Sequence, residues 1–326
     1  MKIGVSEWGL HQNFGRLVNN PRPLTVMEYL DLAAAWKLDG VQIESIPADE
    51  PGLLAVRDKA QKLGLYVQVE AGGFNPERIG KKLQACHVLG AKVLRTFPAL
   101  KRYEKNPPLS AQLKAARENL KRIADQAARL GVLVGVENHQ ALCLRHQDIS
   151  GPELGELLDG VNSPFIGVCL DTGNDFGYCD DPVATARVLA PRTVTVHLKD
   201  YRIKRTFRGA EFAGCPMGQG AVDLPAIVRI LREQSPLKDE LCLNIEAAVE
   251  RVEVPFLEPE FWEGYPAEHA AVVPDFLRLI RTRGEHAEAD LRIPSETGAG
   301  LDEILAHERS FTTQSIEYTR KLLAQL

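Results

Sequence analysis

The chain has 326 residues, 44% of them apolar and 25% charged, with a formal net charge of −5. That charge argues against a broad nucleic-acid binder, whose phosphate contacts need a basic surface, and no apolar run approaches the roughly 20 residues of a membrane-spanning helix. The length suits two small domains or one barrel of ordinary size.

The first residues, MKIGVSEWGL, are expected to start directly with a strand rather than a signal peptide. Thr25 and Glu28 form a capping-box pattern that opens the first helix. A unit of helix, glycine and strand then repeats through LAAAWKLDGVQIES, AQKLGLYVQVE, ACHVLGAKVLRTF and AARLGVLVGVENH. Gly40, Gly64, Gly90 and Gly131 are expected to end their helices in a left-handed turn. Strands are predicted near 2–8, 40–44, 66–70, 92–97, 132–137, 165–171, 193–198 and 241–246. Eight strands alternating with helices imply right-handed βαβ units and a parallel sheet. An open doubly wound sheet is the alternative, but SEWGLHQNFG lacks the glycine-rich phosphate loop of such sheets. The predicted fold is therefore α/β, a (β/α)₈ TIM barrel in a single domain, with the barrel over 1–284 and a C-terminal helical extension over 285–326.

Two connections, 200–221 and 250–266, are longer than helix packing requires and are expected to shape a pocket. The final helix, near 301–326, carries Leu301, Ile304, Leu305, Phe311, Ile316, Leu322, Leu323 and Leu326 at roughly helical spacing. That face is expected to pack on the barrel, with a subunit contact as the alternative. The six cysteines, Cys86, Cys143, Cys169, Cys179, Cys215 and Cys242, show no CxxC spacing. Cys169 and Cys242 fall inside predicted core strands, where cysteine acts as a small apolar residue. A reducing, cytoplasmic setting is the expectation.

Four predicted strands end on a metal-ligand residue: VLVGVENH on Glu137, FIGVCLDTGN on Asp171, TVTVHLKD on His197 and ELCLNIEA on Glu246. Strand ends at the carboxyl-terminal face are where such barrels place their chemistry. Three carboxylates and one imidazole converging there can hold one divalent cation. The set is hard and oxygen-rich, which favours manganese or magnesium over a thiolate-type zinc site. A cation there would polarise a carbonyl and neutralise the enediolate formed as an α-proton leaves; a purely structural metal is the plainer reading.

His139, two residues beyond Glu137, is a candidate proton-transfer group or a loop-packing histidine. Lys199 should share the face of His197 and hold a substrate oxygen or pair with a carboxylate, while Asp200 orients its neighbours. Glu44, Glu70 and Arg95 lie at or near strand ends, as candidates for binding hydroxyls or a carboxylate or as members of a charge network. Trp8 and Phe74 offer an apolar wall against a sugar face or belong to the core, and Trp262 sits in the long final loop.

The motifs VENH at 136–139, LDTGN at 170–174, HLKD at 197–200, GQGAVD at 218–223 and NIEA at 244–247 resemble the xylose isomerase-like TIM-barrel family of sugar phosphate isomerases and epimerases. Its members include ketose 3-epimerases, inosose dehydratase, 3-dehydroshikimate dehydratase and the endonuclease IV branch. The resemblance runs to the closing segment ERSFTTQSIEYTRKLL. It implies Glu137, Asp171, His197 and Glu246 as ligands of manganese, magnesium, cobalt or zinc, and Glu137 with Glu246 as two opposed bases. Together with the positional readings, the candidate catalytic residues are Glu137, Glu246, His139 and Lys199, and the candidate substrate contacts are Trp8, Glu44, Arg95, Asn174 and Trp262. The chain departs from the family at Asn174, where many members carry a histidine. The additional histidines of the multi-zinc endonucleases are missing, so a sugar or keto-sugar rather than DNA is the expected substrate. The FWEGYP segment is untypical of small ketose epimerases. Isomerisation or epimerisation through a metal-stabilised enediolate is the first expectation. A lyase on an oxidised sugar (dehydratase, keto-sugar-acid decarboxylase or 3-keto-glycoside-cleaving enzyme) is the alternative. A catalytically silent sugar-binding partner subunit, or a homo-oligomer, is a third arrangement the sequence allows.

Overall fold

The structure, a computed structural model, describes residues 1–141 and 146–326. Its first half runs β1 (Lys2–Ser6), α1 (Val26–Ala35), β2 (Gly40–Ile43), α2 (Glu50–Leu63), β3 (Tyr66–Glu70), α3 (Pro76–Leu89), β4 (Val93–Thr96), α4 (Leu109–Leu130) and β5 (Leu133–Glu137). Two short strands follow, β6 (Gln140–Ala141) and β7 (His146–Gln147), then α5 (Gly151–Asp159), β8 (Ile166–Asp171), α6 (Pro182–Leu189) and β9 (Thr193–Leu198). The chain continues through β10 (Tyr201–Arg205), β11 (Ala210–Gly214), α7 (Leu224–Gln234), β12 (Cys242–Ile245) and β13 (Arg251–Val254). It ends with α8 (Val273–Arg283) and α9 (Leu301–Gln325).

β1, β2, β3, β4, β5, β8, β9 and β12 close into a parallel barrel, so the (β/α)₈ TIM barrel read from the sequence is the observed fold. Side chains alternate between the barrel axis and the helices. The helix-facing set includes Val5, Ile43, Val69, Leu94, Val136 and Val196, all fully buried. Each removes an aliphatic side chain from water, worth roughly 1.5–3 kcal/mol. The helices meet them with stripes at helical spacing, as in α4, where Ala116, Leu120, Ile123, Ala124 and Ala127 are buried.

The local signals are largely as expected. Thr25 and Glu28 close a capping box at α1, and α2, α3 and α4 end on Gly64, Gly90 and Gly131 at φ of 71°, 73° and 64°. Gly40 is different. α1 stops at Ala35, and Lys37 takes the positive φ, 55°. Gly40 instead opens β2, where a Cβ would run into the Tyr66 ring at the lower end of the barrel.

The two long connections are not simple loops. β10 and β11 form a hairpin, and β13, from beyond β12, adds to it as a third antiparallel strand. Phe212 on β11 and Phe276 on α8 stack with centroids 6.2 Å apart, which fastens this sheet to the helix. α9 packs on the barrel across the loop after β1: Thr312 Oγ1 donates to the Gly9 carbonyl at 2.9 Å, and the Met217 amide donates to Ser315 Oγ at 3.2 Å. Its buried face holds Ile304, Phe311, Ile316 and Leu322, but also Glu308, Thr312, Ser315 and Thr319, while Leu301, Leu305, Leu323 and Leu326 stay partly exposed. Cys86, Cys169, Cys179, Cys215 and Cys242 are free and buried; Cys143 lies outside the described residues. Among the described residues no helix is long and apolar enough to cross a membrane.

Candidate metal centre

Strand register gathers the four strand-end residues at the carboxyl-terminal rim. Asp171 pairs with His197 across β8 and β9, His197 with Asn244 across β9 and β12, and Glu137 with Cys169 across β5 and β8. Glu137, Asp171, His197 and Glu246 are buried, and a ligand atom of each lies within 4.8 Å of those of the other three. His197 Nδ1 stands 2.9 Å from Glu246 Oε2, 3.5 Å from Glu137 Oε2 and 3.9 Å from Asp171 Oδ2.

The unused atoms are the informative ones. Glu137 Oε1 accepts from Asn174 Nδ2 at 2.9 Å, and Asp171 Oδ1 accepts from the amides of Gly173 and Asn174, both at 2.9 Å. His197 Nε2 lies 2.6 Å from Gln42 Oε1. The opposite atoms, Glu137 Oε2, Asp171 Oδ2 and His197 Nδ1, together with Glu246 Oε2, are buried and lack a hydrogen-bond partner. Lys199 Nζ approaches Glu246 Oε2 at 3.0 Å and Asp171 Oδ2 at 3.2 Å, and Arg95 pairs with Glu137. None of these ion pairs has hydrogen-bond geometry at the four atoms. Orphaned buried polar atoms are rare and costly, more so when charged. Four of them facing one point fit a divalent cation held by three carboxylate oxygens and one imidazole nitrogen.

Burial shapes the protonation of the cluster. It pushes the Asp171 carboxyl up to about 6, with Lys199 pulling the other way. Burial also opposes ionisation of Glu137, but Arg95 and His197 outweigh it and hold that carboxyl at about 2. Glu246 is held well below the usual carboxylate range, because His197 and Lys199 overcome its burial.

The structure brings Lys199, Asn174 and Arg95 to the same centre. Asn174 is fully buried, bonds Glu137, and accepts from Lys199 Nζ at 3.3 Å. Arg95 lies between Glu137 and Glu70, with Nη1 3.6 Å from Glu70 Oε2 and its guanidinium 4.9 Å from the Phe97 ring centroid. Glu70, which accepts from Ser6 Oγ at 2.7 Å, is pushed up to about 7 by burial against the pull of Arg95. His139 is partly exposed beside the cluster. Its ring stacks on Phe97 with centroids 4.1 Å apart, and Nδ1 is 2.8 Å from Oδ2 of the buried Asp148. Asp200 accepts from the amides of Tyr201, Gly218, Gly220 and Val222 and so holds the GQGAVD loop.

Other candidates make their contacts elsewhere. Glu44 is partly exposed and pairs with Arg16 at 2.9 Å. Trp8, also partly exposed, lies under the same guanidinium at 5.0 Å. Phe74 is buried in the core. Trp262 donates Nε1–H to the Phe256 carbonyl at 2.8 Å and packs on Phe261 and Tyr265. Its segment is tied to the loop after β4 by Arg102, which donates to the Gly264 carbonyl, and by Tyr103, which donates to the Phe261 carbonyl. Gln42, Asp148 and Asn138 were not singled out from the sequence. For Gln42 the available signal was an inward-facing polar residue within a buried strand, GVQI, whereas Asn138 and Asp148 lie just beyond β5 and β7. A groove of about 670 Å³ between α6 and α8 lies on the outer layer, and none of the four clustered residues lines it.

A family model described as the xylose isomerase-like TIM barrel matches residues 30–248. The 3-oxo-isoapionate decarboxylase of Pectobacterium atrosepticum is 23% identical over 236 residues, 71% of this chain and 81% of that protein. Among solved structures, D-psicose 3-epimerase with D-tagatose from Clostridium cellulolyticum H10 has a TM-score of 0.63 at 13% identity over 99% of both chains. The IOLI protein with a binding zinc atom has a TM-score of 0.59 at 16% identity, over 86% of this chain and 98% of that one. At these identities the structural likenesses show the fold alone.

Proposed function

This chain belongs to the xylose isomerase-like TIM-barrel family, and we propose that it is a divalent-metal-dependent enzyme acting beside a carbonyl of a sugar-derived substrate. The observation that carries this reading is the convergence of four buried ligand atoms without hydrogen-bond partners at the catalytic rim of the barrel. Glu137, Asp171, His197 and Glu246 would hold the ion. The donor set suits manganese first, with magnesium, cobalt or zinc as alternatives. When bound, the ion supplies Lewis-acid polarisation of the substrate carbonyl.

The remaining groups favour a lyase. His139 is the proton-transfer residue: the Asp148 carboxylate fixes its Nδ1 side and stabilises the imidazolium, leaving Nε2 to exchange a proton with substrate. Glu137 is held by the hydrogen bond from Asn174 to Oε1 and by the charge of Arg95 beside Oε2, which makes it a fixed ligand rather than a mobile base. One proton-transfer group suffices for a lyase. His139 takes the proton from the carbon next to the carbonyl and a substituent on the adjoining carbon departs with its electron pair. In a decarboxylation, the C–C electron pair stays on the substrate as carbon dioxide leaves, and His139 protonates that carbon. Lys199 and Arg95 supply positive charge beside the cluster for a substrate oxygen or carboxylate. The likeness to a decarboxylase over 81% of its length supports the same class. Epimerisation, the first expectation from the sequence, becomes the second reading; it is kept because Glu137 ends β5 and Glu246 follows β12, with β8 and β9 between them, which suits proton transfer on two faces.

Mass spectrometry of incubations with ketoses, keto-sugar acids and 3-keto-glycosides in heavy water separates the two. Loss of carbon dioxide, water or an aglycone is expected. Deuterium in a product of unchanged composition, without fragment loss, would replace the lyase by the epimerase.

A further inference from the structure

TIM-barrel interiors are ordinarily filled by branched aliphatic side chains. Directly beneath His197 this barrel instead holds Gln42, Gln68, Thr195 and Asn244, all buried, with Tyr66 below them. Buried amides are tolerated only when their hydrogen bonds are made, and here they are made in one direction. Asn244 Nδ2 faces the Val196 carbonyl at 3.4 Å, a group that can only accept, and Asn244 Oδ1 accepts from Tyr66 at 2.8 Å. That contact orients the Asn244 amide. Its NH₂ then faces Thr195 Oγ1 at 3.0 Å and Gln68 Oε1 at 3.2 Å, and Gln68 Oε1 also accepts from Thr195 Oγ1 at 2.8 Å and from Gln42 Nε2 at 3.0 Å. With three donors converging on it, Gln68 cannot turn its amide around without setting NH₂ against NH₂. Gln42 is therefore obliged to turn its NH₂ downward and its carbonyl oxygen up to His197 Nε2, at 2.6 Å.

We infer that Gln42 is a positioning residue for the metal centre: its Oε1 holds the proton of His197 on Nε2 and so reserves Nδ1 for the ion. The inference rests on the metal reading above. Histidine ligands depend on the partner of their second nitrogen for tautomer and ring orientation, and losing that partner typically weakens metal binding 10–100-fold. A backbone carbonyl in β9 thus fixes, through three amide side chains, which nitrogen of a strand-end histidine faces the carboxylates. This also accounts for polar residues in a layer that such barrels ordinarily fill with branched aliphatic ones.

The test is calorimetric titration of the chelator-treated chain with Mn²⁺. Gln42→Leu, which keeps bulk but removes the acceptor, should raise the Kd roughly 10–100-fold. Gln42→Glu should restore most of the affinity, since a carboxyl group accepts from Nε2–H through one oxygen and, protonated, donates to Gln68 through the other. A purely structural role would instead lower thermal stability in both variants and leave the Kd alone. Should Gln42→Leu fail to fold, nitrogen NMR of the zinc-loaded wild-type chain decides. His197 is expected to show a protonated Nε2 and a metal-bound Nδ1, and metal on Nε2 would overturn the inference. A folded Gln42→Leu protein with wild-type affinity overturns the positioning role alone. A wild-type chain that binds no Mn²⁺ overturns the metal reading on which the inference stands.

Discussion

Asn174 is polar, buried and bonded to Glu137, which makes it a test of how the cluster is held. Asn174→Ala removes the donor to Glu137 Oε1 and should weaken Mn²⁺ binding by roughly 10–100-fold, measured by titration; unchanged affinity would show that Arg95 alone orients that carboxylate. His139→Ala should keep the metal and slow turnover by roughly 10²–10⁴-fold, whereas wild-type rates would make His139 a packing residue against Phe97. Glu70 gives a pH signature. Burial raises its carboxyl to about 7 in the folded chain, above the ordinary 4.5. Between those values the folded state keeps a proton that the unfolded state has released. Its contribution to stability is thus full below pH 4.5 and is lost as pH rises through 7. The amount at stake is of order 3 kcal/mol. In chelated protein, Glu70→Gln should flatten the dependence of the denaturation midpoint on pH across that window, and an unaltered slope would count against a protonated Glu70.

At the scale of elements, α9 is joined to the barrel by a buried carboxylate. Glu308 accepts from the amides of Gln12 and Asn13, both at 2.8 Å, and from Asn13 Nδ2 at 2.7 Å. Glu308→Ala strands those donors and should cost roughly 2–4 kcal/mol in urea denaturation. A change at the solvent-facing Glu303 should stay within about 0.5 kcal/mol; equal effects at both positions would deny the anchor. This anchor also marks where sequence reading stops. The eight barrel strands and their glycine-terminated helices were legible because each signal is local, and the four clustered residues because a polar residue closes each apolar run. The buried face of α9 was not: Glu308, Thr312, Ser315 and Thr319 are interior through hydrogen bonds that hydropathy does not register. The sheet of β10, β11 and β13 was not either, since it pairs Phe212 with Val252, positions far apart in the chain. Gly40 misled because Asp-Gly after an apolar helix resembles a helix stop, whereas its role is to make room for Tyr66. Gln42 was passed over because one polar residue within GVQI reads as a gap in the pattern rather than as the support of a histidine 155 residues away.

For the whole molecule, the barrel divides its labour along its axis. Its lower interior is a satisfied amide network, its rim carries three carboxylates and an imidazole with their free atoms turned inward, and the segment after β13 packs beside the rim through Arg102 and Tyr103. Without a cation that arrangement leaves four buried ligand atoms without hydrogen bonds, so the ion is expected to stabilise the fold as well as enable chemistry. Chelation should lower the melting temperature and abolish turnover, and Mn²⁺ should restore both. The central claim is one divalent ion held by Glu137, Asp171, His197 and Glu246, and elemental analysis tests it most directly. Wild-type chain equilibrated with Mn²⁺ and freed of excess should retain one ion per chain, while a folded Asp171→Ala, His197→Ala double variant should retain almost none. A wild-type chain that comes through without metal, or a double variant that keeps as much as wild type, would contradict it.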